Sequence, residues 1–208
     1  MKKLALTTLI LGACLVALNA SADGDAAAGK SKAAVCGACH GVDGNSASAQ
    51  FPKLAGQNAS YIAEQLADFK SGKRQNPIMA GQAKGLSDQD MQDIAAYFAS
   101  QTRLVGEADA GQVKQGEQLY RNGNKDEGVP ACLACHSPDG VGNFLMNVPA
   151  LSGQHSAYVV AQLQAYASGA RATDHNKMME TIAARLTPAD MQAVASYIEG
   201  LHAAPAQP

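Results

Sequence analysis

Residues 36–40 read Cys-Gly-Ala-Cys-His, and residues 132–136 read Cys-Leu-Ala-Cys-His, 96 positions later. The repetition extends well beyond the cysteines. Phe51-Pro52-Lys53-Leu54-Ala55-Gly56-Gln57 returns as Val148-Pro149-Ala150-Leu151-Ser152-Gly153-Gln154, and Tyr61, Gln65 and Leu66 return as Tyr158, Gln162 and Leu163, all 97 positions on. Leu86 to Met91 returns as Leu186 to Met191, now 100 positions on, and Tyr97 matches Tyr197. One duplication of this period predicts two related domains in tandem rather than a solenoid. The drifting offset places the length changes in loops.

Each copy reads as helices. Ile62, Leu66 and Phe69 fall at helical spacing behind a candidate cap at Ser60, and Val159, Leu163 and Tyr166 repeat the stripe. Ser87-Asp-Gln-Asp90 and Thr187-Pro188-Ala-Asp190 are capping-box-like helix starts, the second with proline at the first helical position. The helices that follow present Met91, Ile94, Ala95 and Phe98, then Met191, Val194, Ala195 and Ile198. Strand-like alternation is scarce, so the expected fold class is all-α. Gly106 to Gly111 is polar and rich in small residues, a linker signal. The expected domains are therefore residues 23–105 and 106–202, with a flexible tail at 203–208.

The N-terminus is a targeting signal. Met1-Lys2-Lys3 precedes an apolar run from Leu4 to Leu18, and Ala20-Ser21-Ala22 is a small-residue cleavage site after which the chain turns polar. This predicts a signal peptide over residues 1–22, cut after Ala22 or alternatively Ala20. Leu11-Gly12-Ala13-Cys14 leaves lipid modification as a second route, and a retained anchor as a third. Export would leave Cys36, Cys39, Cys132 and Cys135 in an oxidising compartment, where vicinal thiols pair or are used. The formal net charge of −2 excludes a strongly basic nucleic-acid binder.

Cys-x-x-Cys-His is the attachment signal for c-type haem. The two thiols add across the haem vinyl groups, and the adjacent His40 or His136 offers an imidazole to the iron. Export and attachment agree. A four-cysteine zinc site or a redox dithiol uses Cys-x-x-Cys too, but neither explains a histidine directly after both pairs. With no tryptophan and 5% aromatic residues, each small half also needs something large and apolar at its centre. For the opposite face of each iron, Met79 lies seven residues before Leu86 and Met179 seven before Leu186, so the repeat pairs them. Met178 rivals Met179 by one register, and Met146 is a weaker candidate. Met91 and Met191 sit on amphipathic helices and read as core. Of the spare histidines, His175 is a rival ligand, while His155 and His202 read as surface. Pro52 and Pro149 are candidates to accept the other ring N–H of each histidine through their carbonyls.

These motifs, with the Phe-Pro-Lys-Leu-Ala-Gly-Gln and Val-Pro-Ala-Leu-Ser-Gly-Gln segments and the two Leu-[Ser/Thr] helix starts, resemble the cytochrome c4 family over nearly the whole chain after residue 22. The resemblance implies two class I cytochrome c domains related by a pseudo-twofold axis. It implies two covalently attached haem c groups facing each other across the interface, with Met79 and Met179 as axial ligands. It also implies a periplasmic electron carrier without a substrate-turnover site. Its expected partners are respiratory: a quinol–cytochrome c reductase or another donor, a haem–copper terminal oxidase as acceptor, and loose association with the membrane surface. A dihaem peroxidase or sulfur-compound dehydrogenase with one open haem is the alternative. Residues 23–105 carry eight acidic and eight basic side chains, whereas 106–208 carry ten and six. Lys70, Lys73, Arg74 and Lys84 near Met79 suggest a cationic face for an acidic partner.

Overall fold

The computed structural model describes residues 24–202, so the expected signal peptide and tail lie outside the described residues. Five helices occupy the first half: α1 (Ala26–Lys32), α2 (Gly37–His40), α3 (Ala59–Ser71), α4 (Pro77–Ala83) and α5 (Asp88–Ala99). The second half repeats them as α6 (Val113–Asn122), α7 (Leu133–His136), α8 (Ser156–Ala167), α9 (Met178–Ala183) and α10 (Pro188–Gly200). Among the described residues strand-type pairing is limited to two isolated bridges, Asn124 with Val129 and Asn143 with Val148.

The helix starts follow from local chemistry. Ser87 and Asp90 form a reciprocal capping box at α5, and Thr187 and Asp190 form another at α10, which has Pro188 in its first turn. Asn76 caps α4 by accepting from Met79 N. The start of α3 departs from expectation. Asn58 is its N-cap residue, and the Ser60 hydroxyl instead lies within hydrogen-bond distance of Asn58 Oδ1 (2.9 Å) and Asn147 Oδ1 (2.8 Å), with one proton for the two.

In the first domain α1 and α3 pack on α5, and α4 on α3; in the second α6 and α8 pack on α10, and α9 on α8. The expected stripes face inward: Ile62, Leu66, Phe69, Met91, Ile94, Ala95 and Phe98 are buried, as are Val159, Leu163, Met191, Val194, Ala195 and Ile198. Met91 and Met191 are thus core residues.

The first and last helix of each domain cross with almost no separation. A Cβ on Gly29 would sit 1.9 Å from Asp93 O, and one on Gly116 would sit 2.1 Å from Ala193 O. Only glycine permits that approach. In the first domain the crossing is locked by Asp93, which accepts from Asp25 N (2.9 Å), Gln89 Nε2 (2.8 Å) and Lys32 Nζ (2.6 Å). Lys32 also bridges Asp90 at 2.7 Å.

Two outcomes follow from this crossing. Gly29→Ala and Gly116→Ala must each push two helices apart, and each should cost about 1–3 kcal/mol or more in denaturant unfolding. The Lys32 bond, with those from Asp25 and Gln89, holds the Asp93 carboxyl down to about 2. A depressed carboxylate adds stability that is complete above its unfolded value of about 4 and disappears as pH falls through its folded value. Asp93→Asn should therefore lower the thermal midpoint at pH 7, with the difference from wild type shrinking below about pH 4.

Candidate haem-binding sites and the domain interface

Each Cys-x-x-Cys-His segment forms one helical turn, with the histidine as its last residue. His40 and His136 are both buried. A left-handed residue follows at once, Gly41 at φ 80° and Ser137 at φ 68°, and turns the chain away. A tyrosine hydroxyl pins that turn in each domain, but from a different helix: Tyr97 of α5 donates to Val42 O, and Tyr120 of α6 to Ser137 O, both at 2.7 Å.

The chain then folds back over the histidine. Gly44 O accepts from Leu54 N (2.7 Å) and Ala55 N (3.1 Å), and Gly140 O accepts from Leu151 N (2.7 Å) and Ser152 N (3.0 Å). Gly56 N donates to Phe98 O and Gly153 N to Ile198 O, both at 2.9 Å, which ties the loop to the last helix. The result places Pro52 O 2.9 Å from His40 Nδ1 and Pro149 O 2.9 Å from His136 Nδ1. A carbonyl only accepts, so Nδ1 carries the proton and Nε2 keeps its lone pair. Burial pushes both imidazoles toward the neutral form, against the weaker opposing effect of the proline carbonyl.

The cysteines are half-buried and unpaired. Burial pushes the Cys36 thiol up, and the Cys132 thiol to about 11, so neither is a ready thiolate. The two pairs lie in separate domains, and among the described residues no group of three or more His, Cys, Asp or Glu converges as a metal site. The arrangement does not fit four-cysteine zinc. It fits a large apolar group held in each domain: Cys36 and Met79 pack on one buried core, and Cys132 and Met179 on the other. Met79 N is held by Asn76 Oδ1 at 3.0 Å, and Met179 N by Asp174 Oδ2 at 2.5 Å. Met178 is 42% exposed and Met146 59%. His175 lies exposed in a 3₁₀ turn, His175–Lys177, and His202 is exposed.

The domains meet through reciprocal bonds. Gln57 Nε2 donates to Ala150 O (2.9 Å) while its Oε1 accepts from Ala150 N (2.8 Å). Gln154 does the same to Lys53 O and Lys53 N, both at 2.9 Å. Arg103 spans both loops, donating to Ala55 O (2.6 Å) and Ser152 O (3.0 Å). Two sequence expectations fail at this interface. His155 is buried rather than superficial, its Nε2 donating to Ser46 O at 2.8 Å. Arg74 does not join a cationic surface; it is buried and bonded to Gln162 and Tyr158 of the other domain. Lys70, Lys73 and Lys84 remain exposed.

The family model for cytochrome c matches the chain twice, over residues 26–102 and 113–202. The cytochrome c4 of Pseudomonas aeruginosa is 54% identical over 198 residues, spanning 95% of this chain and 98% of that protein. The chain belongs to the cytochrome c4 family. The crystal structure of reduced recombinant cytochrome c4 from Pseudomonas stutzeri superposes with a TM-score of 0.84 at 51% identity, covering 86% of this chain and all of that one. A protein of Thiomonas intermedia named thiosulfate dehydrogenase electron acceptor is 39% identical over 191 residues, 89% of this chain and 87% of its own length. Like cytochrome c4, this chain is an all-α pair of tandem cytochrome c domains with two covalently bound haem c groups, and it carries electrons rather than turning over a substrate.

The glutamine pairs are the part of this interface most open to test. Gln57→Ala leaves the Ala150 N–H and C=O buried without partners, each a loss of about 1–3 kcal/mol. The variant should unfold at lower denaturant and expose the Ala150 amide to hydrogen exchange.

Proposed function

We propose that His40 and Met79 hold one haem iron and His136 and Met179 the other, with Cys36, Cys39, Cys132 and Cys135 forming the thioether links. The observation that carries this reading is the doubled geometry. In each domain a buried histidine donates Nδ1–H to a proline carbonyl, leaving Nε2 free, and a partly buried methionine and a cysteine share one core. Pro52 and Pro149 thereby fix the ring orientation and raise the basicity of the coordinating nitrogen. The partial burial of Met179 beside an exposed Met178 supports Met179 in the second domain.

Each haem, when bound, supplies one-electron ferrous–ferric chemistry. The chain's own contribution is to close both faces of the iron, exclude water and hold the two sites at fixed separation through the Gln57 and Gln154 bonds. The domains divide at 105/106, after a signal peptide over residues 1–22. The protein works in the periplasm, takes electrons from a quinol–cytochrome c reductase or another respiratory donor, and delivers them to a haem–copper terminal oxidase. No helix among the described residues is long and apolar enough to cross a membrane, so contact with the membrane is peripheral on this reading.

Optical spectra of the reduced holoprotein with and without carbon monoxide test the ligand set. Wild type should show no change. Met79→Ala and Met179→Ala should each open one haem to carbon monoxide, and Met178→Ala should open neither. Carbon monoxide binding by wild type at neutral pH, or by Met178→Ala, overturns the assignment.

A further inference from the structure

The loop that runs from Gly140 to Pro149 carries Phe144, Leu145 and Met146 side by side, exposed at 74%, 83% and 59%. They sit at the tip of a tight turn closed by the bridge between Asn143 and Val148, with Asn143 N donating to Val148 O (3.0 Å) and Val148 N to Asn143 O (2.9 Å). Within the turn Asn147 N donates to Phe144 O at 3.3 Å, and Met146 N to Asn143 Oδ1 at 3.2 Å. The turn is braced from outside as well. Asn147 Nδ2 donates to Glu64 Oε2 at 2.5 Å, and Asn147 Oδ1 faces the Ser60 hydroxyl at 2.8 Å, both on α3 of the other domain. The tip is therefore held out in one position and does not fold back over its own apolar side chains.

The fold does not call for these side chains. The matching excursion of the first domain makes the same return over its histidine with Ser46-Ala47-Ser48-Ala49-Gln50 at that place. Three adjacent apolar side chains that serve no core mark an interaction site, unlike the scattered apolar exposure of an ordinary surface. Their surroundings say what kind. From Gly140 to Ala170 the chain has no Asp, Glu, Lys or Arg. Glu64 of the first domain reaches the turn only at its base, where Asn147 holds it. A protein-docking patch is rimmed by polar groups that pair across the interface. A convex tip of consecutive apolar residues on a charge-free segment suits instead a medium that yields to its shape and penalises buried charge.

We propose that Phe144, Leu145 and Met146 dip below the headgroups of a lipid bilayer and anchor the second domain there. This rests on the peripheral membrane contact proposed above and gives it a place on the molecule. Apolar burial alone drives it, so the anchor needs no anionic lipid and is indifferent to salt. Residues 106–208, with ten acidic and six basic side chains, are not drawn to anionic headgroups. The tip leads directly into Pro149, whose carbonyl accepts from His136 Nδ1, so anchoring turns the second domain toward the bilayer.

The test is sedimentation of the holoprotein with sucrose-loaded vesicles, read by the Soret absorbance of the pellet. Wild type should bind phosphatidylcholine vesicles no more weakly than an equal mixture of phosphatidylcholine and phosphatidylglycerol, and added salt should leave the binding in place. Phe144→Ser and Leu145→Ser should each lower the partition coefficient about tenfold, and the double variant should abolish it. Val42, 81% exposed in the first domain, supplies the control, because Val42→Ser should bind as wild type does. All these side chains are exposed, so thermal midpoints and reduced spectra should stay at wild-type values. A wild type that binds neither vesicle overturns the peripheral contact and the anchor together, and leaves the tip to a recess in a protein partner. Binding that survives in the double variant, or that needs phosphatidylglycerol and is lost in salt, keeps the contact and overturns the anchor. A wild type that dimerises without lipid while the double variant stays monomeric overturns it too, and assigns the tip to a second copy of the chain.

Discussion

The crossing of the first and last helix of each domain, backbone against backbone at Gly29 and Gly116, is the contact on which the rest is built. It fixes where α1 and α6 end, and the Cys-x-x-Cys-His turn follows α1 after a few residues and α6 after a short hairpin. It also fixes the last helix, whose carbonyls at Phe98 and Ile198 receive the Gly56 and Gly153 amides and so set the loop that lies over each histidine. A glycine with no side chain thus determines the position of a proline carbonyl more than twenty residues away. The imidazole orientation is a consequence of helix packing, not of the motif alone.

The interface uses the same loops a second time. The residues that carry Pro52 and Pro149 past the histidines continue into Lys53 and Ala150, whose backbone groups bond Gln154 and Gln57 of the opposite domain. Any shift between the domains is therefore felt at both histidines. Because each glutamine satisfies one N–H and one C=O at once, the pairing has a single register. That precision costs the rotamer freedom of two glutamines, about 1.5–2 kcal/mol each, which the four bonds offset. It couples the two sites mechanically without requiring a large apolar contact.

What could be read from the sequence was what repeats or what is local. The duplication, the two capping boxes, the inward stripes and the core roles of Met91 and Met191 each depend on neighbours within a few positions, and the structure has them as expected. The burial of His155 and Arg74 depends on partners far along the chain: Ser46 is 109 residues from His155, and Gln162 is 88 from Arg74. No periodicity encodes such a meeting. A signal was nonetheless present, because Gln57, Gln65 and Tyr61 repeat as Gln154, Gln162 and Tyr158, although a polar residue on an ordinary helix surface has no reason to be kept in both copies. Duplicated polar residues outside the motif mark the surface on which the copies face each other. The cap at Ser60 misread a shorter distance, because Asn58 takes the backbone role and leaves Ser60 to bond across to Asn147.

The two domains share one frame, so their differences are confined to the loops where the repeat offset changes. Between the conserved Tyr-x-x-x-Gln-Leu helices and the Leu-[Ser/Thr] starts the second copy gains three residues, and they fall beside Met179. In the first domain Asn76 reaches Met79 N across three positions; in the second Asp174 reaches Met179 N across five. The longer route passes through Asn176 and Lys177, both left-handed at φ 55° without being glycine. Lys177 costs about 1–2 kcal/mol there and Asn176, whose short amide tolerates the region, less; both are exposed, with no burial to offset it. The carboxylate of Asp174, accepting from both Met179 N and Glu180 N, is what retains the turn. The segment carrying Met179 is thus held against local strain by the Asp174 carboxylate and by the Thr181 hydroxyl, which donates to Lys177 O at 2.7 Å, whereas the segment of Met79 is a proline-started helix with an unstrained cap. On the proposed ligand set the histidine sides of the two sites are alike and the methionine sides are not, so residues 174–179 should open more readily than the matching segment of the first domain.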